Sequence, residues 1–160
     1  MAPILPLFIC ESRGLRAERI MRILVVDDDY HDAEQVSSIA RKEGNEVRVL
    51  NNLTEAVRSL MGEECDLLFL DLHLPGLNGT TALSLLREVA PRTPVILLAS
   101  QPSVSSTHPL LQAGAFRVLE KPLVRETLLT AIHAAGASRR RTPSDTAEAH
   151  DSPTKGGDTP

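Results

Sequence analysis

The stretch Ile23-Leu24-Val25-Val26-Asp27-Asp28-Asp29 joins four apolar residues directly to three carboxylates. Two later runs have the same form, since residues 67–70 lead into Asp71 and residues 116–120 lead into Lys121. Apolar runs of this length, bounded by turn signals, are typical of buried strands, and parallel sheets covered by helices on both faces are built from them. Because ligands of such sheets bind beyond the carboxyl ends of the strands, we expect these charged residues to form one site.

The rest of the core alternates strand patterns with helix patterns. Arg48 within the second strand indicates an edge position, and Gly44 and Gly136 are predicted to end the first and last helices. Five strands that alternate with five helices predict a doubly wound parallel α/β sheet in three layers. We predict strands over residues 22–26, 47–50, 67–70, 95–98 and 116–119. We predict helices over residues 32–42, 80–88 and 125–135, a helix that starts at an N-cap at Thr54, and a short helix around residues 110–113.

The composition narrows the function classes. The chain has 160 residues, which is enough for one ordinary domain, and its 2% aromatic content requires a core of Leu, Val, Ile and Ala. A net charge of −4 gives no general reason to expect nucleic-acid binding. No apolar run approaches the roughly 20 residues of a membrane-spanning helix. Cys10 and Cys65 follow no metal or redox spacing, which fits a reducing, cytoplasmic setting.

The two ends of the chain differ from its middle. Residues 1–20 lack a basic region and a small-residue cleavage site, so we interpret them as a loose N-terminal extension rather than a signal peptide. Residues 138–160 are polar and have little to bury, which predicts a disordered tail. The folded domain is therefore expected to span residues 21–137, with no DNA-binding or enzymatic output domain after it.

A set of motifs at the strand ends carries a family resemblance. In chain order they are residues 23–29, residues 70–79, Pro94-Val95-Ile96-Leu97-Leu98, and Ala113-Gly114-Ala115 before Lys121-Pro122. With these motifs in this order, the core resembles the receiver domain of two-component response regulators over about residues 21–136. The resemblance implies a flavodoxin-like sheet with strand order 2-1-3-4-5, which also fits an edge position for the second strand.

The resemblance assigns roles to individual residues. Asp71 matches the phospho-accepting aspartate, and Asp27 and Asp28 match the acidic pair that helps to bind Mg²⁺. Lys121 matches the lysine that contacts the phosphoryl group, and the peptide bond after it is often cis in the family. Asp71 and the backbone carbonyl of His73 would complete the metal ligands. A carboxylate can form an aspartyl-phosphate, and Mg²⁺ prefers carboxylates, water and phosphate oxygens.

Other polar residues near these motifs have plainer interpretations. Asp29 is interpreted as a helix N-cap rather than a metal ligand. The five histidines show no metal-ligand spacing, so no histidine side chain is assigned as a ligand.

Two positions depart from the family pattern. Receivers usually carry Thr or Ser at the end of the fourth strand, and the usual spacing back from Lys121 reaches Ala99, with Ser100 next. A register shift of one residue would place the Ser100 hydroxyl there instead. The fifth strand usually carries an aromatic switch residue, and Val118 stands at that position. These departures leave phosphorylation chemistry possible but alter the usual readout.

The predicted function is a stand-alone receiver. It would take a phosphoryl group from a histidine kinase or phosphotransfer protein onto Asp71 and signal by contact with a downstream protein, without binding nucleic acid or membrane. It would not be an enzyme beyond self-dephosphorylation.

One alternative is a degenerate receiver that acts as a phosphorylation-independent docking module, which Ala99 and Val118 favour. Another is an aspartyl-phosphate phosphohydrolase, although the haloacid-dehalogenase type requires an aspartate where this chain has His73.

Overall fold

The computed structural model describes residues 19–140. Within them a parallel sheet of five strands has the order β2-β1-β3-β4-β5, so the predicted doubly wound fold and its strand order are confirmed. Predictions for residues 1–18, including Cys10, and for residues 141–160 lie outside the described residues. The strands are β1 (Arg22–Val26), β2 (Glu46–Leu50), β3 (Leu67–Asp71), β4 (Val95–Ser100) and β5 (Arg117–Lys121).

Helices cover both faces of the sheet and make it the middle of three layers. α1 and α5 pack on one face, and α2, α3 and α4 pack on the other. Over residues 19–140, no helix combines the length and apolar character needed to cross a bilayer. The helices are α1 (Tyr30–Lys42), α2 (Leu53–Gly62), α3 (Gly79–Val89), α4 (Val104–Gln112) and α5 (Arg125–Arg140).

The sheet contributes to two separate cores because side chains alternate along each strand. Ile23 and Val25 of β1 face α1 and α5, whereas Leu24 and Val26 face the opposite core. All five residues of β3 are buried, as expected for a central strand covered on both faces. By contrast β2 pairs only with β1, and Arg48 is exposed, which confirms the predicted edge position.

Side-chain caps set where the helices begin. Asp29 caps α1 by accepting hydrogen bonds from the amides of His31 and Asp32, and these bonds lower the pKa of its carboxyl group. The predicted cap at Thr54 is wrong. Asn52 caps α2 instead, because its Oδ1 accepts from the amide of Glu55 at 2.8 Å.

The prediction of a short helix around residues 110–113 is also wrong, because α4 begins six residues earlier at Val104. Ser103 and Ser106 form a reciprocal capping box that satisfies free amides of the first turn. Pro109 lies inside the helix and removes one hydrogen-bond donor, yet its own carbonyl still accepts from the amide of Ala113 at 2.9 Å. The serine cap therefore starts a helix that the proline does not end.

The predicted helix stop at Gly136 is wrong as well, since α5 continues to Arg140. A Cβ atom at Gly136 would lie 3.1 Å from the sulfur of Met21, so this glycine permits close packing of α5 on the start of β1. Farther along α5, the Arg139 guanidinium pairs with the buried Asp66 carboxylate and donates to the carbonyl of Cys65 at 2.7 Å. The predicted tail boundary at residue 138 therefore falls inside α5.

The contact between Arg139 and Asp66 gives a test of where the folded domain ends. A chain that ends at residue 137 should be less stable than one that ends at residue 140, because Asp66 loses its guanidinium partner while its carboxylate stays buried. The loss of a hydrogen bond to a charged group costs roughly 1.5–3 kcal/mol of unfolding free energy. Urea denaturation of the two chains measures the difference. Arg139→Ala in the longer chain is the matched control, and equal stability of all three proteins would rule out a stabilising role for Arg139.

Candidate functional site

Parallel strands bring the predicted site residues to one edge of the sheet. β1 and β3 are neighbours, and Asp27 and Asp28 follow β1 where β3 ends in Asp71. One oxygen of each of these three carboxylates lies within 4.8 Å of the others. Among residues 19–140 they are the one group of three or more His, Cys, Asp or Glu side chains close enough to share a metal ion. The three acids expected to meet therefore do so.

Burial makes this acidic cluster electrostatically unfavourable by itself. The Asp27 side chain is fully buried and that of Asp71 is 2% exposed, whereas Asp28 is exposed to solvent. Burial raises the pKa of Asp27, and the neighbouring Asp71 adds to this increase, although hydrogen bonds from the Asp29 amide and Lys121 oppose it. The pair of buried carboxylates therefore favours a cation beside it.

Lys121 supplies one positive charge to the cluster. It is the last residue of β5, and its peptide bond to Pro122 is cis, as the resemblance implied. Its Nζ lies 3.1 Å from Oδ2 of Asp27 and 3.2 Å from Oδ1 of Asp71. Burial alone would lower the pKa of Lys121, but hydrogen bonds to Asp32 and Asp27 outweigh it and raise the pKa above its ordinary value. Lys121 is therefore a permanent cation at neutral pH.

Backbone amides fix the orientation of the two buried carboxylates. The amide of Asp29 donates to Oδ1 of Asp27 at 2.9 Å, and the amide of His73 donates to Oδ1 of Asp71 at 3.2 Å. The Lys121 contact with Asp71 falls on the same Oδ1 atom. Within residues 19–140, Oδ2 of Asp71 accepts no hydrogen bond, which leaves this oxygen available to react.

Asp32 is a site residue that the sequence analysis missed. Its Oδ2 lies 2.7 Å from Nζ of Lys121, which is shorter than the contacts of Lys121 with Asp27 and Asp71. Asp32 belongs to the first turn of α1, directly beyond the acidic loop that consists of Asp27, Asp28 and Asp29. This position beside the acidic residues is the sequence signal that indicates it, whereas the helix pattern alone places Asp32 only at the start of a helix.

The side chain of His73 makes a second contact that the sequence did not indicate. Its Nε2 accepts a hydrogen bond from the backbone amide of Ser100 at 3.3 Å. This bond joins the loop after β3 to the end of β4. It also places an imidazole ring beside the position where the family usually has a hydroxyl.

The three predicted switch residues lie on β4 and β5. Ala99 is buried and pairs in register with Glu120, whereas Ser100 is exposed and pairs with Lys121. Val118 is partly buried and packs in the core on the α2, α3 and α4 side of the sheet. Neither Ala99 nor Val118 has a polar side-chain atom, so neither can donate a hydrogen bond to a ligand.

Sequence comparison agrees with this geometry. A model of the response regulator receiver domain matches residues 23–133. The chain is 36% identical over 128 residues to the response regulator MprA of Mycobacterium leprae, an alignment that covers 80% of this chain and 55% of MprA. It is 31% identical over 136 residues to the sensory/regulatory protein RpfC of Xanthomonas campestris, covering 81% of this chain and 19% of RpfC. The chain thus spans about half the length of MprA and a fifth of RpfC.

Structural comparison gives the same result. The CheY-like response regulator receiver domain protein from Methanospirillum hungatei JF-1 matches with a TM-score of 0.70 and 27% sequence identity, over 76% of this chain and 97% of that one. Residues 23–133, which the family model matches, contain Asp27, Asp28, the aspartate at the end of β3 and the lysine at the end of β5. The chain belongs to the family of receiver domains of two-component response regulators.

Proposed function

We propose that this receiver accepts a phosphoryl group on Asp71, in the presence of Mg²⁺, from a histidine kinase or a phosphotransfer protein in the cytoplasm. It then signals by contact with a downstream protein. The observation that carries the proposal is the convergence of Asp27, Asp28, Asp71 and Lys121 at one edge of the sheet. Receiver domains generally are signalling phospho-acceptors rather than enzymes, and this chain is proposed to act in the same way.

The proposed reaction is a single displacement at phosphorus. A carboxylate oxygen of Asp71 forms a new bond to phosphorus while the bond from phosphorus to the donor nitrogen of a phosphohistidine breaks. The electron pair of the broken bond stays on the imidazole. Oδ2 is the suitable nucleophile, because the hydrogen bond from the His73 amide and the ion pair with Lys121 both fall on Oδ1.

The donor set fits Mg²⁺. Asp27, Asp28 and Asp71 offer the hard carboxylate oxygens that this ion prefers, and the backbone carbonyl of His73 is the further ligand that the family resemblance implies. When bound, Mg²⁺ supplies positive charge that offsets the charge of the carboxylates and of the phosphoryl oxygens. The burial of Asp27 and Asp71 supports this assignment, since Lys121 is the one cation that pairs with them within residues 19–140.

Lys121 is proposed to hold a phosphoryl oxygen after transfer. Its ammonium already lies 3.2 Å from Asp71, and its raised pKa keeps it protonated. A compact ammonium with three N–H donors can exchange one carboxylate partner for a phosphoryl oxygen without moving far.

A phosphorylation-independent docking module is the second candidate. The observation in its favour is that Ala99 and Val118 replace the hydroxyl and the ring that usually transmit phosphorylation. The phosphohydrolase alternative has less support. The residue two positions after Asp71 is His73, and its ring already accepts a hydrogen bond from Ser100.

Asp71→Asn tests the acceptor directly. The substitution keeps the shape of the side chain but removes the nucleophilic carboxylate, so labelling by acetyl phosphate with Mg²⁺ should fall to background. Phosphate incorporation measured by mass spectrometry is the readout, with circular dichroism to verify that the variant folds. Chelation of Mg²⁺ should also abolish labelling of the wild-type chain. Equal labelling of the Asn variant would exclude Asp71, and absent labelling of the wild type would favour the docking module.

Ala99→Thr tests how phosphorylation of Asp71 is transmitted to β4 and β5. The added hydroxyl should hydrogen-bond a phosphoryl oxygen and so strengthen the coupling between phosphorylation and the β4–β5 face, more so with Val118→Tyr. A ligand shifts an equilibrium only by its differential interaction with the two states, and one charge-assisted hydrogen bond supplies roughly 1.5–3 kcal/mol. Amide NMR shifts on addition of beryllofluoride with Mg²⁺ measure the coupling.

The wild-type chain is the reference for this comparison and should show only weak shifts across β4 and β5. If it already shows large shifts there and the Thr variant adds none, the hydroxyl of Ser100 serves in place of the missing threonine.

A further inference from the structure

The ammonium of Lys121 is already paired with three carboxylates. Its Nζ lies within 3.2 Å of Asp27, Asp32 and Asp71. It donates hydrogen bonds to Asp27 and Asp32, so a phosphoryl oxygen that arrives at this site competes with these two carboxylates for the ammonium.

We propose that Asp32 is a positioning residue that competes with the phosphoryl group for Lys121, and thereby strengthens Mg²⁺ binding while it restrains phosphorylation. This inference rests on the proposed function. Asp32 belongs to α1, outside the acidic loop and the acceptor strand, and it makes the shortest of the three contacts at 2.7 Å.

The charge balance of the site explains why Asp32 should strengthen Mg²⁺ binding and slow phosphorylation. Three carboxylates, those of Asp27, Asp32 and Asp71, lie around the Lys121 ammonium, and Asp28 lies close to two of them. While Lys121 pairs with Asp32, its charge is shared with a group that neither binds the metal nor reacts. The three remaining acids keep more of their negative potential, which attracts a divalent cation and repels an anionic phosphodonor.

Exposure identifies Asp32 as the partner that is displaced. Its side chain is 26% exposed, against 0% for Asp27 and 2% for Asp71. Water can solvate the Asp32 carboxylate once Lys121 leaves it, whereas loss of the ammonium would leave Asp27 as a buried charge, which costs more. Of the two carboxylates that accept hydrogen bonds from Lys121, Asp32 is therefore the easier to displace.

Loss of the Asp32 charge should weaken Mg²⁺ binding but speed phosphorylation. These opposite effects distinguish competition for Lys121 from a purely structural role of Asp32. Asp32→Asn removes one negative charge but keeps the side-chain shape, and the hydrogen bond that the backbone amide of residue 32 donates to Oδ1 of Asp29 is unaffected. Of the three carboxylate partners of Lys121, only Asp27 and Asp71 then remain. Mg²⁺ should bind more weakly, and acetyl phosphate should label Asp71 faster once Mg²⁺ is saturating.

Two measurements on the full chain test the inference. Calorimetric titration with Mg²⁺ alone should give a Kd for Asp32→Asn that is raised on the order of fivefold. The initial rate of labelling by acetyl phosphate at saturating Mg²⁺ should rise about twofold or more. Glu34→Gln is the matched control, because Glu34 is an exposed acid on the same helix and loses the same charge. Asp32→Ala should change both quantities in the same directions.

Each outcome decides the inference. A weaker Mg²⁺ affinity together with faster labelling, both relative to Glu34→Gln, supports the competition. Unchanged Mg²⁺ affinity overturns it, and so does labelling that is unchanged or slower, because Asp32 would then support Lys121 rather than compete for it. If the wild-type chain is not labelled at all, the proposed function fails, and the Mg²⁺ titration alone decides the role of Asp32.

Discussion

The contact of Lys121 with Asp27 and Asp71 is the interaction on which the rest of the site depends. It joins the ends of β1, β3 and β5, which come from positions as far apart as residues 27 and 121. Two carboxylates buried side by side repel each other, and removing the partner of a buried charge is strongly destabilising. The folded sheet therefore requires a cation at this edge, and the chemistry of the site follows from the same requirement.

Much of the fold and of the site could be predicted because it depends on local patterns. An apolar run such as residues 67–70 predicts a buried strand, and parallel strands necessarily bring their carboxyl ends to one edge. The meeting of Asp27, Asp71 and Lys121 follows from that topology alone. Arg48 indicates the edge strand in the same local way, because a charged side chain in the middle of a strand requires solvent nearby.

The features that could not be predicted depend on contacts between distant parts of the chain. The continuation of α5 past Gly136 depends on Met21, more than a hundred residues earlier, and on the pairing of Arg139 with Asp66. The hydrogen bond from the Ser100 amide to His73 depends on the placement of the loop after β3 relative to the end of β4. Asp32 shows the same limitation, because a helix pattern indicates which face is buried but not which lysine an exposed-face acid meets.

The scarcity of aromatic residues has a practical consequence. The chain contains no tryptophan and a single tyrosine, Tyr30. Tyr30 is the first residue of α1, next to the Asp29 cap and three residues after Asp27, and it is 81% exposed. Tyrosine fluorescence of the unmodified protein therefore arises from one ring beside the acidic loop. The molecule carries its own optical probe of that loop, with no second tyrosine and no tryptophan in the sequence to obscure it.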